Sequence, residues 1–208
     1  MVKIITFEGL DYSGKTTTLY HMAKKFSNKK NFAFNEGPIY PTGLTARFLT
    51  IANQANEQER EFLYTTSFVL DTLESTLNHR GDNRTVFQDR YWPSVIAYGK
   101  FLNREKSIHH YQDFRPLFIS PVATIYFSCT LDEKIRRSEK RARKSVLDRF
   151  LLGAPDKFKE LEKEIDSSLE GLPNILRLDT TNRSVEEVAF EIEKFYNSQI
   201  VAEALKNE

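Results

Sequence analysis

The stretch Gly9-Leu10-Asp11-Tyr12-Ser13-Gly14-Lys15-Thr16 has glycine at its first and sixth positions, followed by lysine and threonine. That spacing suits the holding of a polyphosphate. The glycines let the backbone turn so that several N–H groups face one anion. A helix opening at Lys15 adds the positive end of its dipole. Lys15 can then reach the outer phosphates, and the Thr16 hydroxyl can ligate a Mg²⁺ that bridges them. The expected nucleotide-binding set is Gly9, Leu10, Asp11, Tyr12, Ser13, Gly14, Lys15, Thr16 and Thr17. A second pair, Asp89-Arg90, could do complementary chemistry. A carboxylate beside the loop can hold the metal directly or through water. A guanidinium can grip a phosphate at two points. Alone, this pair reads equally well as a surface ion pair.

The third charged feature is a run of six cations in nine residues: Arg136, Arg137, Lys140, Arg141, Arg143 and Lys144. They cannot all share one helical face, and a nearby polyanion would relieve their repulsion. Three readings stay open. The run is a lid that closes over the phosphates, a solvated helix, or a nucleic-acid patch.

The elements that must position these groups alternate along the chain. Strands are expected at Val2–Phe7, Phe32–Asn35, Thr85–Gln88, Val122–Ser128 and Asn174–Leu178. Helices are expected at Lys15–Ser27, Glu57–Asn78, Ser94–Leu102, Leu131–Lys144 and Asp156–Leu169. A last helix is capped by Ser184, with Glu187 at the capping-box position. A breaker-rich stretch, residues 36–43, follows the second strand. Alternation with continuously apolar strands predicts an α/β fold, a parallel sheet covered on both faces, with its site at the carboxyl ends of the strands. Asp89-Arg90 falls at such an end.

The composition agrees with one globular domain: 208 residues, 40% hydrophobic, 28% charged, net charge +1. So small a charge creates no overall field toward nucleic acid or an anionic membrane. The single cysteine, Cys129, lies in a strand-like stretch and reads as a small core residue. The apolar N-terminus is too short for a signal peptide or membrane span, and the expected location is cytoplasmic. His21, His79, His109 and His110 have no metal-site spacing; the last three are expected in loops or at helix ends.

Three segments together carry a family resemblance. Phe7-Glu8-Gly9-Leu10-Asp11 resembles the F-E-G-x-[DE] of the thymidylate kinase family. Asp89-Arg90-Tyr91-x-x-Ser94-x-x-Ala97-Tyr98 resembles its D-R-[YFH]-x-x-S-x-x-A-[YF], and Leu147-Asp148-Arg149-Phe150 the D-R-[FI] after its lid. The resemblance spans most of the chain in the family's order. A weaker one extends to the deoxynucleoside kinases. It implies a three-layer P-loop kinase fold with five parallel strands and a basic lid at about 136–150. The implied reaction moves the γ-phosphoryl group of ATP, with Mg²⁺, to a deoxynucleoside monophosphate, dTMP first.

The resemblance also implies roles. Asp89 acts near the metal and Arg90 on the acceptor phosphate. Asp11 meets the sugar 3′-hydroxyl, Tyr98 crowds the 2′ position, and Tyr64 stacks on the base. The family places a basic donor inside the loop or in the lid. The loop position here is Tyr12, so Arg141 and Arg143 are the expected lid donors. The family is often dimeric, and the helix from Glu57 offers a contact.

Several positions depart from the pattern. Asn35 stands where the family has an arginine on the acceptor phosphate, and Arg47, on the next helix, is a candidate substitute. Phe68 stands where an arginine reads the base, and Gly99 where a glutamine is frequent. Apolar pockets discriminate less sharply than hydrogen-bonded ones. The base, and whether the acceptor is already phosphorylated, therefore stay open. A deoxynucleoside kinase would need a carboxylate base near the 5′-oxygen, for which Glu36 is the candidate. A nucleotide-binding regulator with no small acceptor is the alternative of another class.

Overall fold

The computed structural model describes residues 2–37, 39, 43–78, 81–141 and 145–206. Its strands are β1 (Lys3–Glu8), β2 (Phe32–Asn35), β3 (Thr85–Asp89), β4 (Ala123–Ser128) and β5 (Ile175–Asp179). They pair in parallel in the order β2-β3-β1-β4-β5. The helices are α1 (Lys15–Lys25), α2 (Gly43–Gln54), α3 (Glu57–Leu77), α4 (Trp92–Phe101), α5 (Glu105–Phe114), α6 (Leu131–Glu139), α7 (Val146–Leu152), α8 (Pro155–Ser168) and α9 (Val185–Lys206).

β1 is central because both its faces are apolar. Ile5 and Phe7 join Phe87, Phe127 and the α1 and α9 residues Leu19, Met22 and Ile192 in one buried cluster. Ile4 faces the other way, into a cluster with Val86, Tyr91, Trp92, Ile96 and Tyr111. A third cluster joins α4 to α8 through Ala97, Leu161, Ile165 and Leu169, with Leu10 of the loop after β1. The alternation of successive β1 side chains between faces is what a doubly covered strand requires. Strand order reverses direction at β1, with β3 on one side and β4 on the other. That switch point is where α/β sheets leave a crevice for ligands.

All five strands fall within one residue of expectation. α9 begins as expected: Ser184 Oγ accepts from Glu187 N at 3.2 Å, and Glu187 Oε2 from Ser184 N at 2.8 Å. Three helical features differ. The helix expected to run to Lys144 stops at Glu139, with Lys140 as its cap. The chain turns helical again at α7, which has its own capping box, Ser145 with Asp148. α5 is an element the sequence did not signal, and His109 and His110 lie inside it rather than in a loop. Pro38, Tyr40, Pro41, Thr42 and His79 lie outside the described residues. No helix among the described residues is long and apolar enough to cross a membrane.

Candidate active site

The loop after β1 turns against the backbone of β4. A Cβ on Gly9, at φ 131°, would sit 2.1 Å from the Phe127 carbonyl oxygen, so only glycine fits. Tyr12 at φ 64° and Gly14 at φ 95° put two left-handed residues into three positions. Such kinks aim neighbouring N–H groups inward, toward an anion. Lys15 is buried, its Nζ donating to the Leu10 carbonyl at 2.8 Å. Burial, with the charge of Arg90 behind it, pulls the Lys15 ammonium down to about 7. A phosphate anion in the cradle would work in the opposite direction.

β3 ends with its carboxylate against this loop. Thr16 Oγ1 donates to Asp89 Oδ2 at 2.5 Å. The other oxygen, Asp89 Oδ1, is buried and has no hydrogen-bond partner among the described residues. A hydroxyl and an under-occupied carboxylate side by side form the oxygen-only donor set that suits Mg²⁺, whose remaining positions are filled by water and phosphate. The residues present fit that ion.

Arg90 follows at φ 62°, an uncommon conformation for a side chain of its size. Several bonds hold it there. Its N–H donates to the Phe7 carbonyl at 2.9 Å. Its guanidinium pairs with Asp11 Oδ1 at 2.7 Å, donates to Ser94 Oγ at 3.1 Å, and lies 5.4 Å from the Tyr98 ring centre. Burial works to raise the Asp11 carboxyl, but Arg90 and Lys15 outweigh it and hold it well below the usual range. Beneath the guanidinium, Glu8 accepts from Tyr91 N at 2.8 Å and from the Ser94 hydroxyl. Burial pushes Glu8 up to about 7, against the Ser94 hydrogen bond and Arg90. Burial also raises Tyr98, to about 12.

The cationic run divides in two. Arg137 is structural wiring: it donates to the Tyr12 carbonyl at 3.0 Å, to Thr180 Oγ1 at 3.0 Å and to the Thr180 carbonyl at 2.7 Å. It also pairs with Glu133 at 2.7 Å, while Arg136 pairs with the same carboxylate at 2.6 Å. Thr180 in turn donates to the Ser13 carbonyl at 2.8 Å. Arg141 is exposed, its guanidinium 5.3 Å from the Tyr12 ring centre. Arg143 and Lys144 lie outside the described residues. A cavity of about 400 Å³ opens over the loop, walled by Gly14, Lys15, Thr16, Arg136, Arg141 and Arg183.

Of the expected acceptor residues, Asp11, Arg90 and Tyr98 come together. Phe68 sits edge-on to Tyr91 at 4.6 Å and to Phe118 at 5.5 Å, packed against the core. Tyr64 is half-buried on α3, its carbonyl accepting from Ser67 Oγ at 2.7 Å. Glu36 is exposed just past the end of β2, and its carboxylate raises the pKa of the Tyr20 hydroxyl. Arg47 is exposed on α2. The residue reading missed Glu8, Thr180 and Arg183. Glu8 lies within the Phe7–Asp11 segment, and the turn-rich run Thr180-Thr181-Asn182-Arg183-Ser184 at the carboxyl end of β5 is a visible signal.

A phosphate loop at the switch point of this sheet, with the Arg90–Asp11–Tyr98 cluster against it, is the arrangement of the P-loop kinases of nucleosides and nucleotides. Solved structures bear out that fold. A thymidylate kinase from Candida albicans superposes with a TM-score of 0.57 at 20% identity, covering 95% of this chain and 92% of that one. A deoxyadenosine kinase from M. mycoides, solved with dCMP and dCDP bound, gives 0.61 at 18% identity, covering 94% and 99%. The family model for thymidylate kinase matches residues 7–192, and the chain belongs to that family. A sequence from Methanococcus maripaludis named "Probable thymidylate kinase" is 28% identical over 199 residues, covering 92% of this chain and 94% of that one. Another of that name, from Methanocaldococcus jannaschii, is 28% identical over 196 residues. Family membership makes the chain an ATP-dependent phosphotransferase acting on a small-molecule nucleotide.

Proposed function

We propose that this chain moves the γ-phosphoryl group of ATP to the 5′-phosphate of a deoxynucleoside monophosphate, dTMP first, giving ADP and the diphosphate. The observation that carries this reading is the 2.7 Å pair that ties Arg90, at the end of β3, to Asp11 of the phosphate loop, distinct from the Thr16–Asp89 pair. Loop amides of residues 9–16 hold the donor phosphates, and Lys15 moves from the Leu10 carbonyl to the β- and γ-oxygens. Mg²⁺, held by Thr16 and, directly or through water, by Asp89, neutralises charge on the donor when bound. Arg90 fixes the acceptor phosphate and Asp11 the sugar 3′-hydroxyl. Tyr98 crowds the 2′ position and favours deoxyribose. Tyr64 offers the base an aromatic surface, while Phe68 packs against Tyr91 and Phe118.

The acceptor oxygen is already ionised, so no general base is needed. Residues 136–150 act as the lid, with Arg141 and Arg143 reaching the transferred group and closure excluding water. The reading includes a cytoplasmic location and a homodimer through α3, whose Phe62, Leu73 and Leu77 are exposed. A panel of nucleosides and monophosphates with ATP and Mg²⁺, read by ADP release, tests it. dTMP should give the largest kcat/KM. Turnover of nucleosides with none of monophosphates would move the assignment to a nucleoside kinase with Glu36 as base. Hydrolysis indifferent to every acceptor would end the transferase reading.

A further inference from the structure

Tyr12 is in an unexpected place for an aromatic. It occupies a left-handed backbone position in the phosphate loop, at φ 64°, where glycine or asparagine would be easier. Its carbonyl is held by Arg137 at 3.0 Å, which helps keep the backbone in that conformation. The ring then meets both sides of the lid segment. The Arg141 guanidinium lies 5.3 Å from its centre. Its hydroxyl donates to Asp148 Oδ2 at 3.4 Å, and that same oxygen accepts from Ser145 N at 3.0 Å in the cap of α7. Tyr12 and Arg141 both line the cavity over the loop.

We infer that Tyr12 is a positioning residue: its ring is the platform that sets the Arg141 guanidinium over the phosphates, and its hydroxyl ties the start of α7 to the loop. The inference rests on the proposed reaction and concerns how its lid cation is placed. Cation–π pairing of this kind is a matter of short range and a desolvated ring face. Tyr12 does not itself touch the reacting atoms; it acts through Arg141.

The test uses the full chain with ATP, Mg²⁺ and dTMP, and four variants: Tyr12→Gly, Tyr12→Phe, Arg141→Ala and the Tyr12→Gly/Arg141→Ala double. Glycine accepts φ 64° without strain, so Tyr12→Gly keeps the wild-type Tm. It should lower kcat about tenfold and leave the dTMP KM within about twofold. Tyr12→Phe keeps the ring and should recover most of that loss. The double variant should be no slower than Arg141→Ala alone, since the platform has nothing left to hold. Losses that multiply, a Tyr12→Gly enzyme with wild-type kcat, or an Arg141→Ala enzyme with wild-type kcat would each overturn the inference.

Amide exchange with a non-hydrolysable ATP analogue and Mg²⁺ separates this from the acceptor assignment. Tyr12→Gly should speed exchange in residues 145–152 and leave β1 and β3 as they were. If dTMP is not phosphorylated but exchange rises there, the function falls and the tie from Tyr12 to α7 stands. Unchanged exchange in residues 145–152 removes that tie, and with it the positioning role of Tyr12, whichever acceptor is used.

Discussion

At the scale of single residues, not every carboxylate of the site faces substrate; some work on other groups of the protein. Glu8 is the clearest case. It is fully buried, yet its partners are the N–H of Tyr91 and the hydroxyl of Ser94, both at the start of α4. It therefore serves as a cap supplied by a different element, and Ser94 passes that hold to Arg90 at 3.1 Å. Arg90 pays a conformational cost at φ 62°, so its aim depends on these contacts. Ser94→Ala should then raise the KM for the monophosphate about fivefold to tenfold while the KM for ATP stays within about twofold, the loss of one charged hydrogen bond. Steady-state kinetics with each substrate varied would decide it. Equal effects on both substrates would mean that Ser94 only supports the fold. A second substitution addresses the metal: Asp89→Asn should lower kcat by about 100-fold or more at saturating ATP, and excess Mg²⁺ should recover part of it. An undiminished rate would remove Asp89 from the metal site. The loop and the Asp89-Arg90 pair were legible in sequence because residue type, spacing and position after a strand all agreed. Glu8 was not, because a buried carboxylate at a strand end looks the same in sequence whether it caps a helix or binds a metal.

At the scale of elements, local patterning was enough where one face is strongly apolar and caps are plain, as in β1, β4, α3 and α9. It failed where a helix depends on neighbours. α5 buries only Ser107 and Tyr111, too few for a periodic signal, and owes its place to packing against α3 and α4. α7 has seven residues, too short for periodicity, although its Ser145/Asp148 cap could have been read. α6 ends early because the run of cations offers no apolar stripe beyond Ser138, its last buried position. The α3–α5 contact carries a testable pH dependence. His110 stacks on Phe62 at 3.8 Å, meets Phe114 at 4.5 Å, and lies 3.4 Å from Thr66 Oγ1. Burial lowers its pKa, and the charge of Asp113 opposes this without overcoming it. Below its ordinary value of about 6.5 the unfolded chain takes up a proton that the folded chain resists. Stability from this group is therefore intact above pH 6.5 and declines as pH falls toward the lowered folded value. Thermal unfolding between pH 7 and 5 should show a fall in Tm that His110→Gln makes shallower. Parallel profiles for the two proteins would show that the contact does not discriminate charge.

At the scale of the whole molecule, parts far apart in sequence are joined at one guanidinium. Arg137 reaches from α6 to the phosphate loop at Tyr12, to the turn after β5 at Thr180, and back to Glu133. Thr180 closes the circuit on Ser13 at 2.8 Å. The parallel sheet was predictable from alternating elements, but this junction was not. Sequence showed Arg137 only as one of six neighbouring cations, and nothing in their spacing told wiring from ligand binding. The distinction comes from tertiary distance alone. Arg137→Met keeps the apolar stem and removes the fork, so it isolates the hydrogen bonds. A partly buried guanidinium with neutral and charged partners contributes about 2–3 kcal/mol. For a chain of 208 residues that is a fall in Tm of about 4–12 °C. ATP binds the folded state and stabilises it by about 2.7 kcal/mol at 100 times its Kd. If Arg137 also keeps the loop in its anion-binding shape, the variant binds ATP more weakly. The same ATP concentration should then raise its Tm by less than it raises the wild type's. A lower Tm with an undiminished ATP response would make Arg137 a fold-stabilising residue and nothing more, and an unchanged Tm would show that α6 is held to the loop by other contacts.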